Sequence, residues 1–219
     1  MTEQQYDSAT ITAFEQISTA SVSDALQSLG PHGYLSSDIN LVTGRKIVGP
    51  AVTVREIPTT EEVPPTHALE AIDAATQGDV IVIDVGAERD VAAWGGLMTA
   101  GAVANGLAGV ILDAGVRDVE EIDRDFAGFT VFARTTSPAT TLGRFKTVAS
   151  GEPVVVGGVT INPGDLIVAD RDGVVAIPRD LVEQTLAGAQ DIEDREREQT
   201  RLILESGSLA TGLAKYNRI

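Results

Sequence analysis

The 219-residue sequence contains no cysteine, and this absence removes several kinds of chemistry at once. Disulfide bonds, thiolate metal sites and cysteine nucleophiles are all excluded. The two histidines, His32 and His67, are isolated and do not have the spacing of a metal site. Catalytic groups are therefore to be sought among carboxylates, arginines, hydroxyls and backbone N–H groups.

Positive charge is also scarce. Asp and Glu total 32 against 16 Lys and Arg, which gives a formal net charge of −16. Phosphate binding requires clustered basic side chains, so the composition argues against nucleic acid and against anionic membranes as partners. No apolar run approaches the roughly 20 residues that a membrane helix needs. The polar, acidic first ten residues show no secretory signal, and a cytoplasmic protein is expected.

The sequence patterns predict an α+β fold in a single domain over residues 1–219. With 43% hydrophobic residues the chain can form one sizeable core, and no linker or internal repeat divides it. Capping residues and glycine stops predict the helices, with Ser21 or Ser23 as the expected cap of the second. The predicted helices cover 8–29 in two pieces, 66–78, 94–107, a short stretch from about 118, and 180–207.

Short apolar runs between turn residues predict the strands. The predicted strands cover 46–58, 79–86, 109–115 and 130–134, followed by several in the region 153–178. In that last region strands alternate with turns such as "NPGD" and "RDG", which predicts an antiparallel β-meander. The strands over 79–86 and 109–115 flank the helix over 94–107 and so define a central βαβ unit.

A candidate ligand site lies in that unit, where Gly95 and Gly96 begin the helix and Arg117 and Asp118 follow the second strand. The carboxyl ends of neighbouring parallel strands meet at one edge of a sheet, so both features are expected to face one crevice. Glycines allow an anion to approach the N–H groups at the helix start, and a guanidinium can grip a carboxylate. Asp118 is a hard oxygen ligand suited to Mg²⁺. This combination is what a 2-oxo acid site requires.

Two further aspartates stand near the ends of the same strands. Asp84 and Asp113 could bring carboxylates within reach of a water on the metal. An alternative interpretation is that the glycines merely allow close packing and that Arg117 and Asp118 belong to a surface loop. The spacing alone does not decide between these interpretations.

The stretch from Gly96 to Glu121 reads G-x20-R-D-x2-E and resembles the signature of the RraA-like family, which includes 4-hydroxy-4-methyl-2-oxoglutarate and 4-carboxy-4-hydroxy-2-oxoadipate aldolases. The similarity extends to "STASVSDAL" (18–26), "GPAVTV" (49–54), "GDVIVIDVG" (78–86), "FARTTSP" (132–138) and "GGVTINPGDLIVADRDGVVAIP" (157–178). The resemblance implies a swivelling β/β/α sandwich. It also implies a homotrimer or hexamer with sites between subunits, in which residues 180–219 would make oligomer contacts.

The resemblance further implies roles for individual residues. Asp118 would be the ligand of Mg²⁺, Mn²⁺ or another divalent cation, and Arg117 would bind the substrate and stabilise charge. Backbone N–H groups of Gly95, Gly96, Leu97 and Met98 would bind the carboxylate of a pyruvyl group. These residues define the expected catalytic and substrate-binding set.

The remaining acidic residues are less strongly indicated. Glu121 completes the motif, whereas Gly96 stands where many family members carry an acidic residue, so a base at that position is not available here. An acidic residue of the C-terminal helix is expected to enter the neighbouring subunit's site. Glu198 is the first choice and Glu196 the second.

These implications favour a divalent-metal-dependent lyase that cleaves 4-hydroxy-2-oxo dicarboxylates to pyruvate. Oxaloacetate decarboxylation passes through the same pyruvate enolate, so one site can perform both reactions. The alternative is a non-catalytic regulator that binds and inhibits ribonuclease E, since the family's founding branch has that role.

Overall fold

The computed structural model describes residues 5–216, apart from the side chain of Lys215. The helices are α1 (Ser8–Glu15), α2 (Thr19–Ser28), α3 (Thr66–Ala74), α4 (Gly96–Ala104), α5 (Val119–Asp125), α6 (Val182–Ser206) and α7 (Leu209–Tyr216), with a 3₁₀ turn at Arg179–Leu181. The strands are β1 (Asn40–Thr43), β2 (Ile47–Pro58), β3 (Val80–Asp84), β4 (Ala92–Trp94), β5 (Gly109–Leu112), β6 (Gly115–Val116), β7 (Thr130–Ala133), β8 (Thr135–Thr136), β9 (Phe145–Ser150), β10 (Val154–Val156), β11 (Val159–Ile161), β12 (Leu166–Asp170) and β13 (Gly173–Ile177). No helix in this part of the chain is both long and apolar enough to cross a membrane.

An eight-stranded sheet forms the centre of the fold, in the order β1-β7-β5-β3-β2-β12-β13, with β9 added beside β2. Strands β2, β3, β5 and β7 run parallel to one another. The remaining pairs are antiparallel: β1 with β7, β9 and β12 with β2, and β13 with β12. The long strand β2 pairs on one side with β12 through its first half and with β9 through its second half. The predicted α+β class, the βαβ unit β3–α4–β5 and the long C-terminal helix are confirmed.

The predicted meander consists of two hairpins. Strands β10 and β11 pair with each other, as do β12 and β13, but β12 pairs with β2 and not with β11. The hairpin β10–β11 is therefore a separate two-stranded sheet. Strands β2 and β12 are far apart in the sequence, so turn residues, which indicate only local connections, could not predict that they pair.

Helix α2 begins before the predicted cap. Ser18 is the N-cap, and its hydroxyl accepts a hydrogen bond from the N–H of Ser21 at 3.1 Å. The prediction of Ser21 or Ser23 was wrong because both lie inside the helix. At the other end of the chain, Gly207 ends α6 in the left-handed conformation with φ 66°, as its position predicted.

Three groups of buried apolar side chains hold the layers together. One lies between the large sheet and helices α3, α4 and α5, and includes Trp94 and Ile122. A second lies beneath the hairpin β10–β11, and a third joins α1, α2 and α6 to β12 and β13. Strand β3 is buried along almost its whole length, as its nearly continuous apolar run predicted.

A second, three-stranded sheet lies outside the large one. Its order is β4-β6-β8, all parallel, and each strand contains only two or three residues. Strands this short show no periodicity, so no pattern in the sequence predicted this sheet. It is the sheet that positions the candidate site.

Glu56, on β2, is a buried carboxylate without a partner. Its residue is 4% exposed, and neither oxygen has a hydrogen-bond partner in the described part of the chain. Burial raises the pKa of Glu56 from its ordinary value of 4.5 to about 7. Between these two values the unfolded chain ionises while the folded protein keeps the proton. The free energy of unfolding should therefore fall as the pH rises through this window.

Replacing Glu56 with glutamine should remove this loss, because the amide cannot ionise. Above pH 7 we expect Glu56→Gln to be more stable than the wild type by about 2–3 kcal/mol, with a smaller difference near pH 4.5. Urea unfolding at several pH values measures both quantities. Equal pH dependence in the two proteins would show that Glu56 does not titrate as its burial indicates.

Candidate active site

Three segments meet at the carboxyl end of the small sheet. Gly95 follows β4, Arg117 follows β6 and Ser137 follows β8. Backbone hydrogen bonds tie the segments together: Arg117 N–H donates to Trp94 O at 3.0 Å, and Ser137 N–H donates to Val116 O at 3.0 Å. The expected crevice thus exists, but it is built on β4 and β6 and not directly on the ends of β3 and β5.

Gly95 and Gly96 allow neighbouring side chains to approach closely. A Cβ atom on Gly95 would lie 2.6 Å from Oδ2 of Asp118 and 3.0 Å from Cγ of Arg117. A Cβ atom on Gly96 would lie 2.5 Å from Oε1 of Glu121. The diglycine therefore lets the side chains of the Arg-Asp pair and of Glu121 lie directly against the start of α4.

Asp118 is held in an uncommon backbone conformation. It is the N-cap of α5 and lies in the left-handed region with φ 59° and ψ 30°. Its Oδ2 accepts a hydrogen bond from Gly96 N–H at 3.0 Å and lies 3.4 Å from Nε of Arg117. Both charged side chains remain partly exposed, at 41% for Arg117 and 36% for Asp118. They are therefore accessible to a ligand.

The first turn of α4 offers free donors. Gly96 N–H is used by Asp118, and the first helical bond runs from Thr99 N–H to Gly95 O. The N–H groups of Leu97 and Met98 have no acceptor within residues 5–216. Unpaired N–H groups at a helix N-terminus attract anions, which agrees with the expected carboxylate site.

Arg117 and Asp118 line a cleft of about 310 Å³ together with Val116, Val119, Thr136, Ser137 and Pro138. The last three residues belong to the segment after β7 and were not predicted as site residues. Their segment, "FARTTSP", contains polar residues directly after a buried strand, and this was the only local signal for them. The pairing of β8 with β6 brings them to the site.

Asp84 and Asp113 have other partners. Asp84 accepts hydrogen bonds from the N–H groups of Gly86 and Val155 at 3.0 and 3.3 Å. Asp113 is buried and forms an ion pair with Arg134 at 2.6 Å, and its oxygens also accept from Ala87 and Gly157. These contacts join the ends of β3 and β5 to the surrounding loops. They give no support to the interpretation that either aspartate serves a metal.

The carboxylates that could hold a cation here are those of Asp118, which lines the cleft, and of Glu121, which lies beside Gly96. Asp118 accepts a hydrogen bond from Gly96 N–H, and the Glu121 carboxylate occupies the space that a Cβ atom on Gly96 would need. Across residues 5–216 no group of three or more His, Asp or Glu side chains converges on one point. One or two carboxylates completed by water and substrate oxygens match the usual environment of Mg²⁺.

The expected trans carboxylates lie on the C-terminal half of α6. Glu198 accepts a hydrogen bond from the hydroxyl of Tyr216 on α7. Glu196 lines a groove of about 180 Å³ between α6 and α7. Both residues are thus engaged at the α6–α7 hairpin within one chain, and their entry into a neighbouring subunit's site stays a prediction.

Comparisons with known proteins find similar proteins over most of the chain. A family model described as RraA-like, Aldolase/RraA, matches residues 19–176. The chain is 36% identical over 195 residues to a protein of Halalkalibacterium halodurans named "Putative 4-hydroxy-4-methyl-2-oxoglutarate aldolase", a match that covers 85% of this chain and 87% of that protein.

Two further proteins are similar over most of the chain. Protein DlpA of Legionella pneumophila is 35% identical over 191 residues, which are 87% of this chain but only 31% of DlpA. The crystal structure of Streptomyces coelicolor RraAS2, described as an unusual member of the RNase ES inhibitor RraA protein family, has a TM-score of 0.82 at 26% identity. That match covers 89% of this chain and 98% of RraAS2.

Proposed function

The chain belongs to the RraA-like family, and from this premise we propose that it is a divalent-metal-dependent aldolase. It would cleave 4-hydroxy-2-oxo dicarboxylates to pyruvate and decarboxylate oxaloacetate through the same enolate. One observation carries the proposal: Arg117 and Asp118 line one cleft, and Asp118 is hydrogen-bonded to the start of α4, where the N–H groups of Leu97 and Met98 have no acceptor within residues 5–216. The N–H groups suit the substrate's carboxylate, Asp118 suits a divalent cation, and Arg117 suits the negative charge that forms on the enolate.

Binding begins with the carboxylate of the pyruvyl group. The N–H groups of Leu97 and Met98 donate to it, and the dipole of α4 adds to the attraction. The substrate's 2-oxo group then faces Arg117, which lies after the central strand of the small sheet. When the C3–C4 bond breaks, its electron pair moves into the C2–C3 unit and negative charge grows on the C2 oxygen. The guanidinium stabilises that charge.

Asp118 and Glu121 are the residues that would hold Mg²⁺. A bound Mg²⁺ supplies a Lewis acid that polarises the 2-oxo group. The hydrogen bond from Gly96 to Asp118 orients the carboxylate for this role, and the left-handed backbone at Asp118 directs it back towards α4.

The test is pyruvate release by the wild-type protein from oxaloacetate and from 4-hydroxy-4-methyl-2-oxoglutarate. We expect the protein to turn over both substrates in the presence of Mg²⁺. EDTA should abolish this activity, and an excess of Mg²⁺ should restore it. Activity that survives exhaustive chelation would contradict the metal requirement. Absence of turnover under every condition would contradict the enzyme.

We also propose that the protein assembles as a homotrimer or hexamer. Large apolar side chains are exposed beside the site and on the C-terminal hairpin: Leu97 is 88% exposed, Leu204 78% and Leu209 62%. Burying such side chains against a second copy stabilises an assembly, and the position of Leu97 suits a site between subunits. Light scattering of the wild-type protein measures the assembly. A monomer would contradict this expectation.

The similarity to RraAS2 supports a second candidate function, the binding and inhibition of ribonuclease E. A regulator of this kind needs no turnover, whereas an enzyme needs Arg117 and Asp118 in the cleft. The substrate assay therefore separates the two candidates. No pyruvate release together with inhibition of purified ribonuclease E would favour the regulator.

A further inference from the structure

The small parallel sheet imposes a direction on any ligand that binds across it. Strand β6 is central, with β4 on one side and β8 on the other. The N-terminus of α4 follows β4, and the Arg-Asp pair follows β6. Neighbouring strands lie about 5 Å apart. A substrate whose carboxylate meets α4 and whose 2-oxo group meets Arg117 therefore extends its far end towards β8.

Three consecutive hydroxyl residues occupy the end of β8, and they are not equivalent. Thr135 donates its hydroxyl hydrogen bond to Arg89 O at 2.6 Å, and Ser137 donates to Asp90 O at 2.5 Å. These two bonds attach β8 to the loop that precedes β4. The outer residues of the triplet therefore have a structural role.

Thr136, between them, has no such bond. Successive side chains of a strand point to opposite sides, so Thr136 faces away from the loop that binds its two neighbours. Its backbone pairs with Val116, and the residue lines the cleft with Arg117 and Asp118. No hydrogen-bond partner of its hydroxyl exists in the described portion of the chain. A free hydroxyl thus lies on the side of the cleft towards which the substrate extends.

We propose that the Thr136 hydroxyl binds the oxygen on C4 of a 4-hydroxy-2-oxo acid, an inference that rests on the proposed function. The distance between strands β6 and β8 is comparable to the distance from C2 to the oxygen on C4 of an extended substrate. During cleavage the C4 hydroxyl gives its proton to a water molecule, and the C4 oxygen carries negative charge until its electron pair completes the new carbonyl as the C3–C4 bond breaks. The enolate then takes up a proton from water at C3 and becomes pyruvate. A hydroxyl that donates to this oxygen stabilises the transition state more than the ground state.

The same contact has a different effect on oxaloacetate. Its C4 atom belongs to the carboxylate that leaves as CO₂, so the negative charge there disappears as the bond breaks. A hydrogen bond to that group does not accelerate its departure. Thr136 should therefore favour aldol cleavage over decarboxylation, which makes it a determinant of substrate specificity.

The experiment compares kcat for 4-hydroxy-4-methyl-2-oxoglutarate and for oxaloacetate in wild type, Thr136→Val and Thr136→Ser. Valine has the shape of threonine without the donor, and serine keeps the donor. For Thr136→Val we expect a fall of about 10- to 100-fold in kcat for cleavage, with kcat for decarboxylation not lowered. Thr136→Ser should retain most of the cleavage rate.

Thr135→Val is the matched control, because the same chemical change one residue earlier removes a hydroxyl that bonds to Arg89 O. It should leave the ratio of the two kcat values unchanged. If the ratio of the two kcat values in Thr136→Val equals that of the wild type, or if both activities fall equally, the inference about Thr136 is wrong while the proposed function still stands. A wild-type protein that turns over neither substrate would overturn the proposed function and this inference with it.

Discussion

Arg117→Ala should lower kcat for oxaloacetate decarboxylation by about 100- to 1000-fold under saturating Mg²⁺. The guanidinium stabilises the negative charge that develops on the C2 oxygen as the enolate forms. The contact is therefore stronger in the transition state than in the bound substrate. The side chain already lies in the cleft, with Nε 3.4 Å from the carboxylate of Asp118. Pyruvate binding should weaken as well, since the same group contacts the product.

Arg117→Lys separates charge from geometry. Lysine keeps the positive charge but loses the planar fork that grips a carboxylate or an enolate oxygen from two directions. We therefore expect a rate clearly below that of the wild type. Arg124→Ala is the control, because this exposed arginine of α5 forms an ion pair with the neighbouring Asp125 and does not line the cleft, so the rate should be unchanged. Equal rates for wild type, Arg117→Lys and Arg117→Ala would remove Arg117 from the mechanism.

Asp118→Asn should reduce Mg²⁺-dependent turnover to the uncatalysed background while the fold stays intact. Asparagine tolerates the left-handed backbone found at this position, and its amide oxygen can still accept the hydrogen bond from Gly96 N–H. The change therefore removes the negative charge and little else. A neutral amide oxygen binds a divalent cation much less strongly than a carboxylate does.

The measurements for Asp118→Asn are a Mg²⁺ titration of the decarboxylation rate and a thermal unfolding curve. Asp125→Asn provides the matched control, as the same substitution on the exposed side of α5 should change neither. A Mg²⁺ dependence like that of the wild type in Asp118→Asn would show that this carboxylate does not hold the cation.

The sequence predicted those elements whose signals are local. Helix α6 ends at Gly207 as expected, and the run "VIVID" is the buried strand β3. Each has a pattern that repeats over several residues or a residue type that stops a helix. The Arg-Asp pair and the two glycines also come together as expected, since the βαβ connection constrains where their segments can lie.

Other features depend on contacts between distant segments and could not be predicted. The ion pair between Asp113 and Arg134 joins the ends of β5 and β7. From its position in the sequence, Asp113 was a candidate for contact with a metal-bound water, but its carboxylate binds Arg134. Strand β8 has two residues, so its pairing with β6, and with it the position of Thr136, has no local pattern. Three serines lie within six residues at the start of α2, and each is a residue type that can cap a helix. Ser18 is the cap because the chain enters the helix there, and the sequence alone does not indicate that point.

Positions 96 and 121 compete for one small volume, and this has a consequence for how the sequence can change over evolutionary time. A Cβ atom at position 96 would meet both carboxylate oxygens of Glu121, at 2.5 and 3.3 Å. A mutation that places a side chain at 96 therefore displaces the exposed carboxylate of Glu121 from the start of α4. The effect of a substitution at one of these positions should therefore depend on the residue at the other, and the two positions should not change independently over evolutionary time.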